Sequence, residues 1–142
     1  MMKRILLVIA FAANSLASFA QSTPEGLWMS FDDDGKTPTA LIRISKSNGK
    51  LIGRIEKVLD ITSESTCSKC TDDRKNQPLV GLEIIRGTLA NASNGKWEQG
   101  RILDPDDGTD YKLVMELQNG GQVLLVRGYW SFFWRTQQWR RN

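Results

Sequence analysis

The sequence predicts an all-β fold: a single antiparallel up-and-down β-barrel of about eight strands. From Gly26 onward the chain breaks into short runs of alternating apolar and polar residues, with no stretch of helical periodicity. These runs are separated by residues that tolerate positive φ, namely Asp34-Gly35, Asn48-Gly49, Asn94-Gly95, Asp107-Gly108 and Asn119-Gly120-Gly121. Eight strands in hairpin succession leave two unpaired edges, and closing the sheet on itself removes both.

The strands follow in order. Gly26-Leu27-Trp28 opens the first, over 25–31. The second and third, 39–46 and 50–59, meet at Asn48-Gly49. A long connector over about 60–78 precedes a fourth strand at 79–87, and connectors of that length are usually functional or mobile. The fifth and sixth, 96–104 and 109–118, flank an acidic turn; in the sixth, Tyr111, Leu113, Met115 and Leu117 share one face. The seventh, 122–130, is apolar on both faces, so its inward side stays open. The eighth, 133–141, presents either Phe133, Arg135, Gln137 and Trp139 or Trp134, Thr136, Gln138 and Arg140, and either choice turns an arginine inward.

The N-terminus reads as an export signal. Lys3 and Arg4 precede an apolar run over 5–13, and small residues Ser18 and Ala20 stand before Gln21. The expected organisation is a signal peptide over residues 1–20 and one barrel domain over 21–142, exported to the periplasm or secreted. Without the signal, nineteen Lys and Arg fall to seventeen against sixteen Asp and Glu, a balance of +1. Such a chain has no broad electrostatic footprint for nucleic acid, and none is expected as a partner.

Cys67 and Cys70 are most simply a disulfide in an exported chain, shaping a loop rather than stapling the fold. A redox pair is the sharper alternative, but the flanking residues do not form a thioredoxin-like strand and helix. Two cysteines and no histidine fall short of a structural zinc site, so no metal or cofactor is expected. The acidic segments 32–35 and 104–110 invite calcium, yet the position ending a twelve-residue loop counted from Asp104 is Met115. Tight turns call for the same Asp and Gly residues.

In a closed barrel the first and last strands are neighbours. Gly26 and Trp28 therefore meet the Arg140-Arg141 end, and an arginine over the Trp28 ring would seal the barrel floor; Gly26, Trp28 and Arg140 are assigned this structural role. The Gly-x-Trp start with a late arginine resembles the lipocalin-like superfamily. A closer resemblance comes from Gly26-Leu27-Trp28, Gly53-Arg54-Ile55, Cys67-Ser68-Lys69-Cys70, Pro78-Leu79-Val80-Gly81, Gly100-Arg101-Ile102-Leu103-Asp104-Pro105, Val126-Arg127-Gly128-Tyr129 and Arg135-Thr136-Gln137-Gln138-Trp139. Taken in this order they resemble the bacterial domain-of-unknown-function family 2147 over nearly the whole mature chain. That resemblance implies secreted or periplasmic proteins with a lipocalin-like barrel, and no established activity or catalytic residues. The aromatic run before Arg135 departs from the family pattern.

Arg54, Arg101, Arg127 and Arg135 occupy strand positions compatible with an inward face. They permit an anion clamp, because guanidinium forks bind carboxylate or phosphate bidentately. They equally permit internal pairing with Glu56, Asp104 or Glu116, since a buried charge needs a partner. Tyr129 and Gln137 fit either reading. The candidate ligand-binding set is thus Arg54, Arg101, Asp104, Arg127, Tyr129, Arg135 and Gln137. Trp130, Phe132, Phe133 and Trp134 are too aromatic for a simple turn and form a candidate contact for an envelope protein or a membrane surface.

Catalysis is hard to build without histidine, and no catalytic residue is assigned. Three readings follow: a barrel binding a small ligand, with an anion as the more specific expectation; a filled structural or interaction protein of the envelope; and a hydrolase using carboxylates such as Glu56 and Asp104.

Overall fold

The computed structural model of the chain describes residues 23–91 and 94–142. The export signal expected over 1–20 lies outside the described residues. Eight strands, β1 (Gly26–Phe31), β2 (Pro38–Ser47), β3 (Lys50–Val58), β4 (Glu83–Asn91), β5 (Lys96–Asp104), β6 (Thr109–Gln118), β7 (Val123–Trp130) and β8 (Phe133–Arg141), pair in chain order and close into a barrel. Every pairing is antiparallel, and β1 meets β8 through Trp28 opposite Arg141 and Met29 opposite Arg140.

One element differs from the sequence reading: β4 starts at Glu83, four residues after the expected 79. The apolar stretch Leu79-Val80-Gly81-Leu82 is a bend. Gly81 adopts φ 90° there and donates to the Ile55 carbonyl, while Leu79 and Leu82 turn into the core. Two irregularities in the β3–β4 register then break strict alternation, so that consecutive Ile84 and Ile85 are both buried.

The two ends of the barrel are unlike. The connections β2–β3, β4–β5 and β6–β7 lie at the end where both chain termini enter the sheet. Here Trp28, Met115, Leu113, Leu124 and Trp139 are fully buried and fill the interior. The Trp28 indole N–H donates to the Pro24 carbonyl at 2.7 Å. Arg141 stacks 4.2 Å over the Trp28 ring and donates to the carbonyls of Gly121, Glu25 and Thr23. Gly26 is needed beside it: φ is 133°, and a Cβ would lie 2.7 Å from Arg141 Nη1. The sealing arginine is therefore Arg141. Arg140, to which that role was assigned, lies on the outer wall, 4.4 Å over the Phe31 ring, because alternation turns its neighbour to the floor.

At the other end, the β3–β4 connection is tied down along its length. Cys67 and Cys70 form a disulfide, both buried. Arg74, only 3% exposed, pairs with Asp72 at 2.6 Å and Asp110 at 3.3 Å and donates to the Glu83 carbonyl. Its guanidinium holds the Asp72 carboxyl down at about 2. Gly108 lets the connection approach the β5–β6 turn, where a Cβ would fall 2.0 Å from the Lys69 carbonyl oxygen.

Candidate functional site

Inward-facing positions place a cavity of about 190 Å³ at the end formed by the β1–β2, β3–β4, β5–β6 and β7–β8 connections. Its deeper wall is apolar: Ile42 from β2, Ile55 from β3, Ile84 from β4, Val126 from β7 and Trp139 from β8. Its mouth is lined by Asp32, Asp60, Asp104 and Asp106 against a single cation, Arg135. An apolar cavity of about 150 Å³ accommodates benzene, so this space matches a ring or a short chain.

Strand β8 supplies a ladder from mouth to floor. Trp139 is fixed inward by packing, and period-two alternation puts Gln137 and Arg135 above it. The Trp139 indole N–H donates to Gln137 Oε1 at 3.0 Å. That bond sets the amide orientation and leaves the Gln137 NH₂ as a donor with no protein partner among the described residues. Opposite Arg135 stands Gly128, whose missing side chain makes room for Tyr111; a Cβ there would lie 3.1 Å from Tyr111 Cβ.

Arg135 ties β8 to the β1–β2 connection and to β5 at the mouth. One guanidinium nitrogen donates to the Asp33 carboxylate of the β1–β2 connection, and the other lies 3.5 Å from Asp104 Oδ2 at the end of β5. Burial lowers the Arg135 pKa, but these two carboxylates outweigh it and the net shift is upward. Burial likewise raises the Asp104 carboxyl, reinforced by the nearby Asp107 and Asp106 charges and opposed by the Asp106 amide and Arg135. Tyr111 donates to Asp107 at 2.8 Å, and burial followed by that bond raises its phenol. Ser30 and Thr39 share a 2.8 Å hydrogen bond on the opposite side.

Of the seven residues expected to bind ligand, the fold brings Asp104, Arg135 and Gln137 together at the cavity. The other four are on the outside. Arg54 pairs with Glu83 at 2.7 Å, Arg101 with Asp110 at 3.0 Å, and Arg127 donates to Thr136 at 2.7 Å. Tyr129 lines a shallow outer groove with Arg101 and Lys112. The physical reason is register: once Val126 and Gly128 face the cavity, Arg127 and Tyr129 cannot. Pairing of Arg135 with Asp104 matches the internal-pairing reading. Glu56 instead meets Arg43 on the outer wall at 2.8 Å, so Glu56 and Asp104 do not face one cavity.

Sequence reasoning did not single out Asp60, Ser30 or Thr39, and it weighed Asp32 only as part of an acidic turn or calcium segment. Counting two residues on from Trp28 reaches Ser30, and that alternation was readable; Asp60 had no local signal, because its connector has no period. Asp34 and Asp104 use carboxylate oxygens on their own turns. Asp34 accepts from the Thr37 hydroxyl and the Lys36 and Thr37 amides, which lower its pKa, and Asp104 accepts from the Asp106 amide. Among the described residues, no group of three or more His, Cys, Asp or Glu could hold a metal ion.

An eight-stranded antiparallel meander, sealed at one end by tryptophan and arginine and open at the other, defines a lipocalin-like barrel. Protein HP1028 of the human pathogen Helicobacter pylori, described as belonging to the lipocalin family, has this fold with a TM-score of 0.69 and 14% identity, over 83% of this chain and 82% of that one. Residues 26–141 match the model of DUF2147, described as an uncharacterized protein conserved in bacteria, and the chain belongs to that family. No curated protein matches it.

Proposed function

We propose that the open end of the barrel binds a small, mainly apolar molecule carrying an uncharged or cationic polar group. The observation that carries this reading is the lining itself, four carboxylates and one guanidinium above an apolar floor. An anion entering there meets repulsion, and the one cation is already engaged by Asp33 and Asp104. The Gln137 NH₂ is placed to donate to a carbonyl or hydroxyl, and an ammonium group would find partners at the rim. The anionic ligand expected from the arginine count therefore gives way to this one. The same reading includes export: the Lys3-to-Ala20 segment has the order of a signal peptide, and the Cys67–Cys70 disulfide suits an oxidising compartment.

Native mass spectrometry of the protein purified from its own host tests both parts. The expected chain begins at Gln21 and retains a neutral or cationic small molecule. Ala40→Leu, which projects a larger side chain into the cavity, abolishes that retention. A retained anion, or retention unchanged in Ala40→Leu, overturns the ligand reading, and a chain still carrying residues 1–20 overturns cleavage.

A further inference from the structure

The connections around the open end differ in where exposed apolar side chains stand. The β1–β2 and β5–β6 connections are acidic, with Asp33, Asp34, Asp106 and Asp107. The two connections between them carry the exposed apolar side chains: Ile61 and Val80 on β3–β4, and Trp130, Phe132, Phe133 and Trp134 on the β7–β8 hairpin. Among the described residues, all the large hydrophobics that are exposed belong to these two connections. In a closed eight-stranded ring in chain order, β3–β4 and β7–β8 lie on opposite sides of the mouth. Among the described residues, the closed end has no such groups and presents Lys46, Lys50, Asn48 and Asn119 instead.

These side chains stand away from the body of the protein. Ile61 is 99% exposed, Phe132 76% and Trp134 65%. The hairpin from Gly128 to Trp134 holds no charged residue, and Phe132 and Phe133 touch each other with ring centroids 4.6 Å apart. A protein partner requires a surface of matched shape and substantial area. Projecting apolar groups on two opposite loops, with tryptophan among them, suit a surface that yields around each one, as the interface of a bilayer does.

We propose that the open end docks on a bilayer surface through these two loops, with the cavity mouth facing the lipid. The headgroups are zwitterionic. The carboxylates of the connections at this end outnumber the exposed Lys36, Lys69 and Lys75 and disfavour an anionic membrane, while an ammonium-bearing headgroup complements them. With both opposed loops inserted, the barrel axis stands along the bilayer normal. Docking is independent of whether the cavity is filled; if it is, the ligand reaches it from lipid without crossing water.

Flotation of the protein with phosphatidylcholine vesicles, with and without phosphatidylglycerol, tests this. The wild type is expected to float with phosphatidylcholine and less with the anionic mixture. A buried large apolar side chain is worth about tenfold in affinity, so Ile61→Ser lowers partition about tenfold and Phe132→Ser with Trp134→Ser about a hundredfold. An unchanged melting temperature shows these exposed substitutions leave the fold intact. The proposal falls if the wild type does not float, if either loop's substitutions leave flotation unchanged, or if phosphatidylglycerol is required. It also falls if the protein ignores pure lipid but binds native membranes in a protease-sensitive manner, which indicates a protein partner. A concentration-dependent dimer dissolved by the same substitutions, without flotation, indicates a second copy and overturns it too. A small molecule retained by a chain that does not float overturns docking alone and leaves the cavity reading standing.

Discussion

Arg141 at the closed end and Arg135 at the open end are both on the last strand, with alternation turning both toward the interior, yet they do different work. Arg141 meets only neutral partners, an indole ring and three carbonyl oxygens, each fixed by backbone that converges there. Its charge is used to gather the chain terminus, the β6–β7 connection and the first strand into one floor. Arg135 meets two carboxylates, one on the β1–β2 connection and one at the end of β5, and borders a cavity. An arginine among carbonyls closes a structure; an arginine among carboxylates at a half-exposed mouth sets the charge of a site and contributes little to stability.

Substitutions at the two ends should separate these roles. The largest effect is expected from Trp28→Ala, which removes the ring that Arg141 covers and leaves a void in the filled half of the barrel. Chemical denaturation should report a loss of about 3–5 kcal/mol. Arg141→Ala keeps the ring and removes the cation and its three hydrogen bonds. The expected loss is about 2 kcal/mol by the same measurement, and a loss below about 0.5 kcal/mol would make the two ends alike.

The smallest effect belongs to the open end. Burial raises the Asp104 pKa above the ordinary 3.8, so the folded state holds this proton more tightly than the unfolded state. The carboxyl therefore favours folding most below 3.8, and that advantage is lost as pH rises through the folded pKa. Asp104→Asn removes the titration. The stability of wild type relative to the variant should fall by less than about 1 kcal/mol between acid and neutral pH, read from denaturation curves across that range. A difference that rises with pH would mean that Arg135 dominates burial at this carboxyl.

Much of the fold can be followed residue by residue along the chain. Asn48-Gly49 and Asp107-Gly108 sit between strands as turn chemistry requires, and Trp28 meets a C-terminal arginine as barrel closure requires. The fourth strand was misplaced because Leu79 and Leu82 are apolar for a reason other than strand alternation: they plug the core from a bend. The site was less readable. Arg54, Arg101, Arg127 and Arg135 look equivalent in sequence, and only Arg135 reaches the cavity. Arg74 sits in a run of polar loop residues with no pattern to mark it, yet it is among the most buried charges described.

By itself the sequence determined the number of strands, their hairpin order and most of their limits, because alternation and turn preference are properties of near neighbours. Tertiary structure decided which face of each strand looks inward, which arginines line the cavity, and that the exposed aromatic and aliphatic side chains gather around one mouth. Register is the physical reason. A single extra residue reverses every side chain that follows in a strand, and its placement is fixed by the neighbouring strands and by closure of the ring, not by the residues on either side of it.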